Sequence, residues 1–322
     1  MTESSMTSGA EPGTEPGAAA GLGFGAKPSA AAESAAAAIA LPPLVATCWT
    51  TAGSAMPAAA SELSPFSAVA RVRAAAENGW SGIGFGQDDV REIRDTIGFA
   101  ALRQEIEDAG LTHVEVELVS NWWQEDGDWR ENWELLLEAA GDLGAAFIKA
   151  GTDFADPLTD FSDYVAPFRS LAEEAQAVGT RVALEPLPFG RFASMPFGAE
   201  FIRAVDHPAA GLVVDFWHVF RAGTSLEELA RSLTADIVFG VELSDAHADI
   251  RGETLFADTR DHRTLIGQGD QDVVGFIRTM REVGYTGPWG VEILSAEHRA
   301  RSLEEAAKIA YDTAAAVFET VQ

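Results

Sequence analysis

The sequence predicts a closed α/β barrel of eight parallel strands, each followed by a helix, and three observations carry that prediction. From residue 44 onward, short apolar runs alternate with amphipathic helical stretches, with nothing else large between them. There are eight such runs, the number at which a parallel sheet closes on itself. Four of them finish in or near an acid: Val182-Ala183-Leu184-Glu185, Leu212-Val213-Val214-Asp215, Val238-Phe239-Gly240-Val241-Glu242 and Gly290-Val291-Glu292. A doubly wound open sheet is the alternative. It would usually show a glycine-rich phosphate turn after its first strand, and Trp49-Thr50-Thr51-Ala52-Gly53 is not one.

Taken in order, Leu44–Trp49 is the first strand, and a helix from about Pro65 to Asn78 buries Phe66, Val69, Ala70 and Val72 before Gly79 stops it. Gly82–Phe85 is the second strand, followed by an Asp-rich loop and a helix that runs through Ala109 to Gly110. His113–Val119 alternates as a third strand, with Trp122 and Trp123 in the loop behind it and a helix over Trp133–Leu143. Phe147–Ala150, Arg181–Leu184 and Leu212–Asp215 are strands four to six, separated by helices at Phe161–Val178 and Ala199–Val205. A helix at Leu226–Leu233, a strand at Ile237–Leu243, a helix at Val273–Val283, a strand at Trp289–Ile293 and a helix at Leu303–Val321 complete the series.

Composition narrows the function. Hydrophobic residues make up 47% of the 322, enough for a substantial core over residues 41–322. The formal charge of −28, from 50 acids against 22 bases, repels nucleic acid and anionic membranes, so neither is expected as a partner. The single cysteine, Cys48, excludes an internal disulfide framework and a thiolate metal cluster. Residues 1–40 are nearly all Ala, Gly, Ser, Pro, Thr and Glu, and read as a disordered tail rather than a secretory signal. No long uncharged apolar run follows, which predicts a cytoplasmic protein. A homo-oligomer is compatible with all of this.

In a barrel of this kind the carboxyl ends of the strands converge on one face, so Glu185, Asp215, Glu242 and Glu292 would line one rim. Like charges ~4 Å apart repel by about 4 kcal/mol per pair at an effective dielectric of 20. Protons or a divalent cation must relieve this, and oxygen ligands suit Mg²⁺ or Mn²⁺. For any one acid alone, an ion pair with Arg221, Arg251 or Arg263 is the alternative.

Several segments resemble the xylose isomerase-like sugar isomerase/epimerase family of TIM barrels, a superfamily that also contains endonuclease IV. They are Leu184-Glu185-Pro186, Val214-Asp215-Phe216-Trp217-His218 and Leu243-Ser244-Asp245-Ala246. Arg263-x-x-x-Gly267-Gln268-Gly269-Asp270, Gly284-Tyr285-x-Gly287 and Val291-Glu292 match as well. The resemblance implies one divalent metal, often Mn²⁺, held by Glu185, Asp215 and Glu292. It implies that His218 and Arg263 contact substrate. It also implies proton transfer by Glu185 and Glu292 from opposite faces of a ketose or keto-sugar, through an enediolate. One position departs: the family usually has histidine on the seventh strand, where this chain has Glu242. A fourth carboxylate favours manganese or magnesium over zinc. His247 could reach back to compensate. An endonuclease IV-like trinuclear zinc site is disfavoured, because the whole chain has six histidines.

Lys149, at the end of strand four, and Glu117, on strand three, are further rim candidates, as a pair or separately. Trp49, Trp122, Trp123 and Trp217 could wall a sugar or pack the barrel. Sparse basic residues favour an unphosphorylated sugar, polyol or glycoside. The sequence thus predicts a metal-dependent sugar isomerase or epimerase. A lyase or dehydratase acting on a keto-sugar or 3-oxo-glycoside remains open, as does a metal-free sugar-binding barrel.

Overall fold

Eight parallel strands close into a barrel in the computed structural model, which describes residues 41–321; the tail expected over 1–40 lies outside them. In chain order the strands are β1 (Leu44–Ala46), β2 (Gly82–Gly86), β3 (His113–Val119), β4 (Phe147–Ala150), β5 (Val182–Leu184), β6 (Ala210–Asp215), β7 (Val238–Leu243), the short β8 (Asp245–Ala246) and β9 (Arg263–Thr264), and β10 (Trp289–Val291). β10 pairs with both β1 and β7 and closes the cylinder, while β8 and β9 form a separate antiparallel pair at its mouth. Strands such as β6 and β7 are buried on both faces, which is why they read as continuous apolar runs, whereas β3 keeps an alternating pattern.

The helices are α1 (Ala68–Glu77), α2 (Gln87–Asp95), α3 (Phe99–Asp108), α4 (Trp129–Leu143), α5 (Ser162–Ala177), α6 (Met195–Val205), α7 (Phe216–Arg221), α8 (Leu226–Ser232), α9 (Leu255–His262), α10 (Val273–Val283), α11 (Ala296–Arg299) and α12 (Leu303–Thr320). Their ends follow ordinary capping chemistry. Ser67 accepts a hydrogen bond from the Ala70 amide, and Ser302 and Glu305 form a reciprocal capping box on α12.

Two expectations change. The Asp-rich segment after β2 is not a loop: Asp88 and Asp89 occupy the first turn of α2, where their charge complements the helix dipole. Asp89 is also buried against the Arg71 guanidinium, which donates to the carbonyls of Cys48 (2.8 Å) and Gly84 (3.1 Å). The helix expected to run on to Ala109 is broken at Gly98, whose φ of 77° a residue with a Cβ adopts only under strain. The short elements α7, α9, α11, β8 and β9 were not read from the sequence, and most of them shape the site.

Candidate active site and metal centre

Inward-facing residues recur every second position along a strand, and that period builds the site in layers. The lower layer is an apolar plug of Phe147, Ala183, Val213 and Phe239. Two residues further along the first three of these strands come Lys149, Glu185 and Asp215. A register irregularity between β6 and β7 adds one residue, so Glu242 sits three positions beyond Phe239 and pairs with Asp215. Gly290, beside Glu242, must lack a side chain: a Cβ there would meet the Glu242 Cγ at 3.0 Å and the Thr47 Cγ2 at 2.9 Å. Glu292 lies one residue past β10. Its amide donates to the Leu243 carbonyl, and Thr50 Oγ1 braces the same strand end by donating to Val291 O (2.7 Å) and accepting from the Ile293 amide (3.0 Å).

The four expected acids converge. One carboxylate oxygen from each of Glu185, Asp215, Glu242 and Glu292 lies within 4.8 Å of the others, and all four residues are buried. They are not left to repel one another. Lys149 Nζ is 2.7 Å from Glu242, 3.0 Å from Glu117, 3.4 Å from Glu292 and 3.8 Å from Glu185. Arg263 Nη1 donates to Asp215 at 2.6 Å and Nη2 lies 3.2 Å from Glu292. The ion-pair alternative holds for Arg263, and Lys149 adds to it, so an ammonium and a guanidinium of the chain supply part of the compensation beside any proton or divalent ion. Arg221, by contrast, pairs with Asp258 at 2.8 Å, outside the cluster.

The charges remain unequal, with five carboxylates against two fixed cations, and the proton affinities reflect it. Burial pushes Glu117 up to about 7, with Glu292 and Glu185 adding to the rise and Lys149 opposing it. Burial and the neighbouring Glu292 carboxylate hold Glu242 well above the usual carboxylate range. Glu292 is raised as well, by burial first. Glu185 goes the other way: burial alone would raise it, but the Lys149 ammonium and His218 outweigh that and hold it at about 2. Burial disfavours the Lys149 ammonium, and the four surrounding carboxylates outweigh burial, so it stays charged. One floor thus carries carboxyls of unequal proton affinity, with Glu185 lowered and Glu117, Glu242 and Glu292 raised.

The donor set fits a hard divalent ion. Buried Glu185 Oε1 and Glu242 Oε2 have no hydrogen-bond partner, and each belongs to a residue of the four-carboxylate cluster. Glu185, Asp215 and His218 form a second, overlapping group within reach of one ion. His247 takes no part; its ring lies 3.9 Å from Asp270.

Above this floor opens a cavity of about 390 Å³. Trp49, Glu117, Lys149, Glu185, His218, Arg263 and Glu292 line it, while Asp215 and Glu242 lie beneath. His218 is placed by α7, whose first turn is capped by Asp215 accepting from the His218 amide (3.2 Å). Its Nε2 lies 3.5 Å from Glu185. Of the tryptophans considered as a sugar wall, Trp49 alone lines the cavity. Trp122 packs against Tyr164, Phe168 and Phe201, and Trp217 lies under the Arg263 guanidinium at 5.3 Å.

Three supporting roles were not read from the sequence, although Asp245 stands in one of the family-like segments. Thr259 on α9 accepts from Arg263 Nε (3.0 Å) and Nη2 (2.9 Å), fixing the guanidinium. Thr50 braces Glu292 as described. Asp245 accepts from the amides of Ala246, Gly267, Gly269 and Gln271 at 2.8–3.1 Å, so the Gly-Gln-Gly segment is a loop wrapped on one carboxylate. The spacing from Asp245 to that glycine pair was the available signal, although nothing in it identifies the acceptor.

Comparison with known proteins agrees with this architecture. The description "xylose isomerase-like TIM barrel" matches residues 72–313. A 3-dehydroshikimate dehydratase of Pseudomonas putida is 31% identical over 147 residues, covering 45% of this chain and 23% of that protein. An inosose isomerase of Halalkalibacterium halodurans is 31% identical over 147 residues, covering 44% of this chain and 50% of that protein. The alignments thus span half or less of these relatives. Among solved structures, the IOLI protein with a bound zinc atom superposes with a TM-score of 0.73 at 17% identity, covering 87% of this chain and 99% of that one. No described helix is long and apolar enough to cross a membrane. The closed eight-stranded barrel, the buried Glu/Asp/His cluster and the extent of the match lead to one conclusion: the chain belongs to the xylose isomerase-like TIM barrel family.

Proposed function

We propose that this chain is a metal-dependent sugar isomerase or epimerase that moves a proton beside the carbonyl of a ketose or keto-sugar, through an enediolate. The observation that carries the reading is geometric: Glu185 and Glu292 both line one cavity, and each contributes a carboxylate oxygen to the buried four-acid cluster. Two carboxyls placed side by side against one substrate can remove a proton and return one. Glu185, Asp215, Glu242 and Glu292 would hold the ion, Mn²⁺ or Mg²⁺ by the hardness of four carboxylates. When bound, that ion supplies positive charge against the oxygen that becomes negative as the carbon loses its proton.

The chain's own residues do the remainder. Arg263 and Lys149 keep the acids in place, His218 and Trp49 orient the substrate, and Glu117, raised to about 7, can take up or release a proton at the cavity wall. The surplus of carboxylates favours a neutral substrate over a phosphorylated or carboxylated one. A second reading is β-elimination from the same enediolate. It is supported by Glu117, whose pKa of about 7 suits it to protonate a departing hydroxyl. Incubating the protein with Mn²⁺ and a panel of ketoses and oxo-glycosides in deuterated water tests both. Exchange at the carbon beside the carbonyl with the substrate's composition kept indicates isomerisation or epimerisation, and exchange with loss of water from a keto-sugar, or of the aglycone alcohol from an oxo-glycoside, indicates elimination. No exchange across the panel refutes the proton-transfer reading.

A further inference from the structure

The cavity has a second half that the acids do not explain. Three phenylalanines from separate segments meet over its mouth: Phe154 after β4, Phe189 after β5 and Phe256 on α9. Phe154 and Phe256 have ring centroids 4.5 Å apart, Phe154 and Phe189 5.3 Å, and Phe189 and Phe256 5.8 Å. Phe189 also stands 5.9 Å from the His218 ring, so the trio is one side chain away from Glu185. Despite this mutual packing, Phe154 leaves 57% of its surface to water. A large aromatic held by its neighbours yet open on its free side presents an apolar face to whatever enters.

We propose that these three rings form an aryl subsite: the substrate carries a flat aromatic group, as in an aryl glycoside, beside the polyhydroxylated end that reaches the acids. The inference rests on the proposed function for the orientation of the reacting end, and on the trio for the other end. Phenyl rings offer no hydrogen-bonding atom. A sugar ring meets such rings only through a C–H face, and one such face covers one ring rather than three set at angles to one another. A flat aromatic substituent can contact all three, because offset and edge-to-face ring contacts suit the spacing the trio already shows. The cavity volume, about 390 Å³, lies within the range of pockets that take drug-sized ligands, leaving space for a second ring beyond the sugar.

Calorimetric titration of the full chain with phenyl glucoside and methyl glucoside tests the subsite without requiring turnover. The phenyl compound binds at least about tenfold more tightly, a difference of about 1.4 kcal/mol. Phe154→Ala removes that preference and leaves the methyl glucoside unaffected, while Phe154→Tyr, which keeps the ring, retains it. Equal affinities, no measurable binding of the phenyl compound, or a preference that survives Phe154→Ala overturns the proposal. Solvent deuterium exchange is read separately. A phenyl preference without exchange on any substrate leaves the subsite standing and removes the proton-transfer chemistry.

Discussion

Replacing Lys149 by Met removes one positive charge and keeps most of the side chain's volume. The ammonium touches four carboxylates at 2.7–3.8 Å. At an effective dielectric of 20 each pair attracts by about 4–6 kcal/mol. Much of that gross attraction only offsets the cost of burying the ions, and breaking a buried pair by removing one partner destabilises by about 3–5 kcal/mol. At 2–4 °C per kcal/mol for a domain of this size, the melting temperature in chelator falls by about 6–20 °C. A divalent ion supplies the missing charge, so Mn²⁺ raises the melting temperature of Lys149→Met more than that of the wild type. Differential scanning calorimetry with EDTA and then with graded Mn²⁺ measures both shifts. A variant that melts with the wild type in EDTA, and gains no more from Mn²⁺, would refute the role of Lys149 as the resident counter-ion.

Glu292→Gln keeps the shape and removes the titrating group, so solvent exchange at the substrate carbon falls by about 10²–10⁴-fold; near-normal exchange would reassign the proton carrier. Glu242→His replaces a hard oxygen donor with imidazole and shifts selectivity from Mn²⁺ toward Zn²⁺ in competition titrations; unchanged selectivity would place the ion elsewhere. Chelator treatment abolishes exchange in the wild type, and added Mn²⁺ restores it. His298 sits outside the acid cluster, buried, with its ring nitrogen against the Thr50 carbonyl at 2.9 Å. Burial lowers its proton affinity and the Thr50 carbonyl partly opposes that. The stability it contributes is complete above the unfolded pKa of about 6.5 and is lost as pH falls toward the lower folded value. Chemical denaturation across that interval shows the slope flattened in His298→Gln.

The barrel was legible because strands buried on both faces leave uninterrupted apolar runs, and Val213-Val214-Asp215 and Val291-Glu292 mark where burial meets chemistry. Lys149 and Glu117 were legible as polar residues in apolar strands, and they do pair. What was not legible lies in short or distant segments. α7 is six residues, Phe216–Arg221, too few for helical periodicity to stand out from the strand before it. The break at Gly98 splits one amphipathic stretch that a tolerated glycine could equally have continued. The phenylalanine trio is invisible in one dimension, since 154, 189 and 256 meet only after the barrel closes. Trp122 and Trp217 were equally open to wall or core, and indole burial against Phe168 or under Arg263 decides for core.

Strand β7 continues through Ser244 into β8, where Ala246 pairs with Arg263 and Asp245 gathers the following loop. Glu242 and Arg263, 21 positions apart in sequence, are therefore coupled through one antiparallel pairing, Glu242 on the backbone that runs on into β8 and Arg263 on β9 beside it. A change anywhere along 243–246 displaces both together. Compensating substitutions for a damaged floor should accordingly map to 263–271 as readily as to the neighbouring strands.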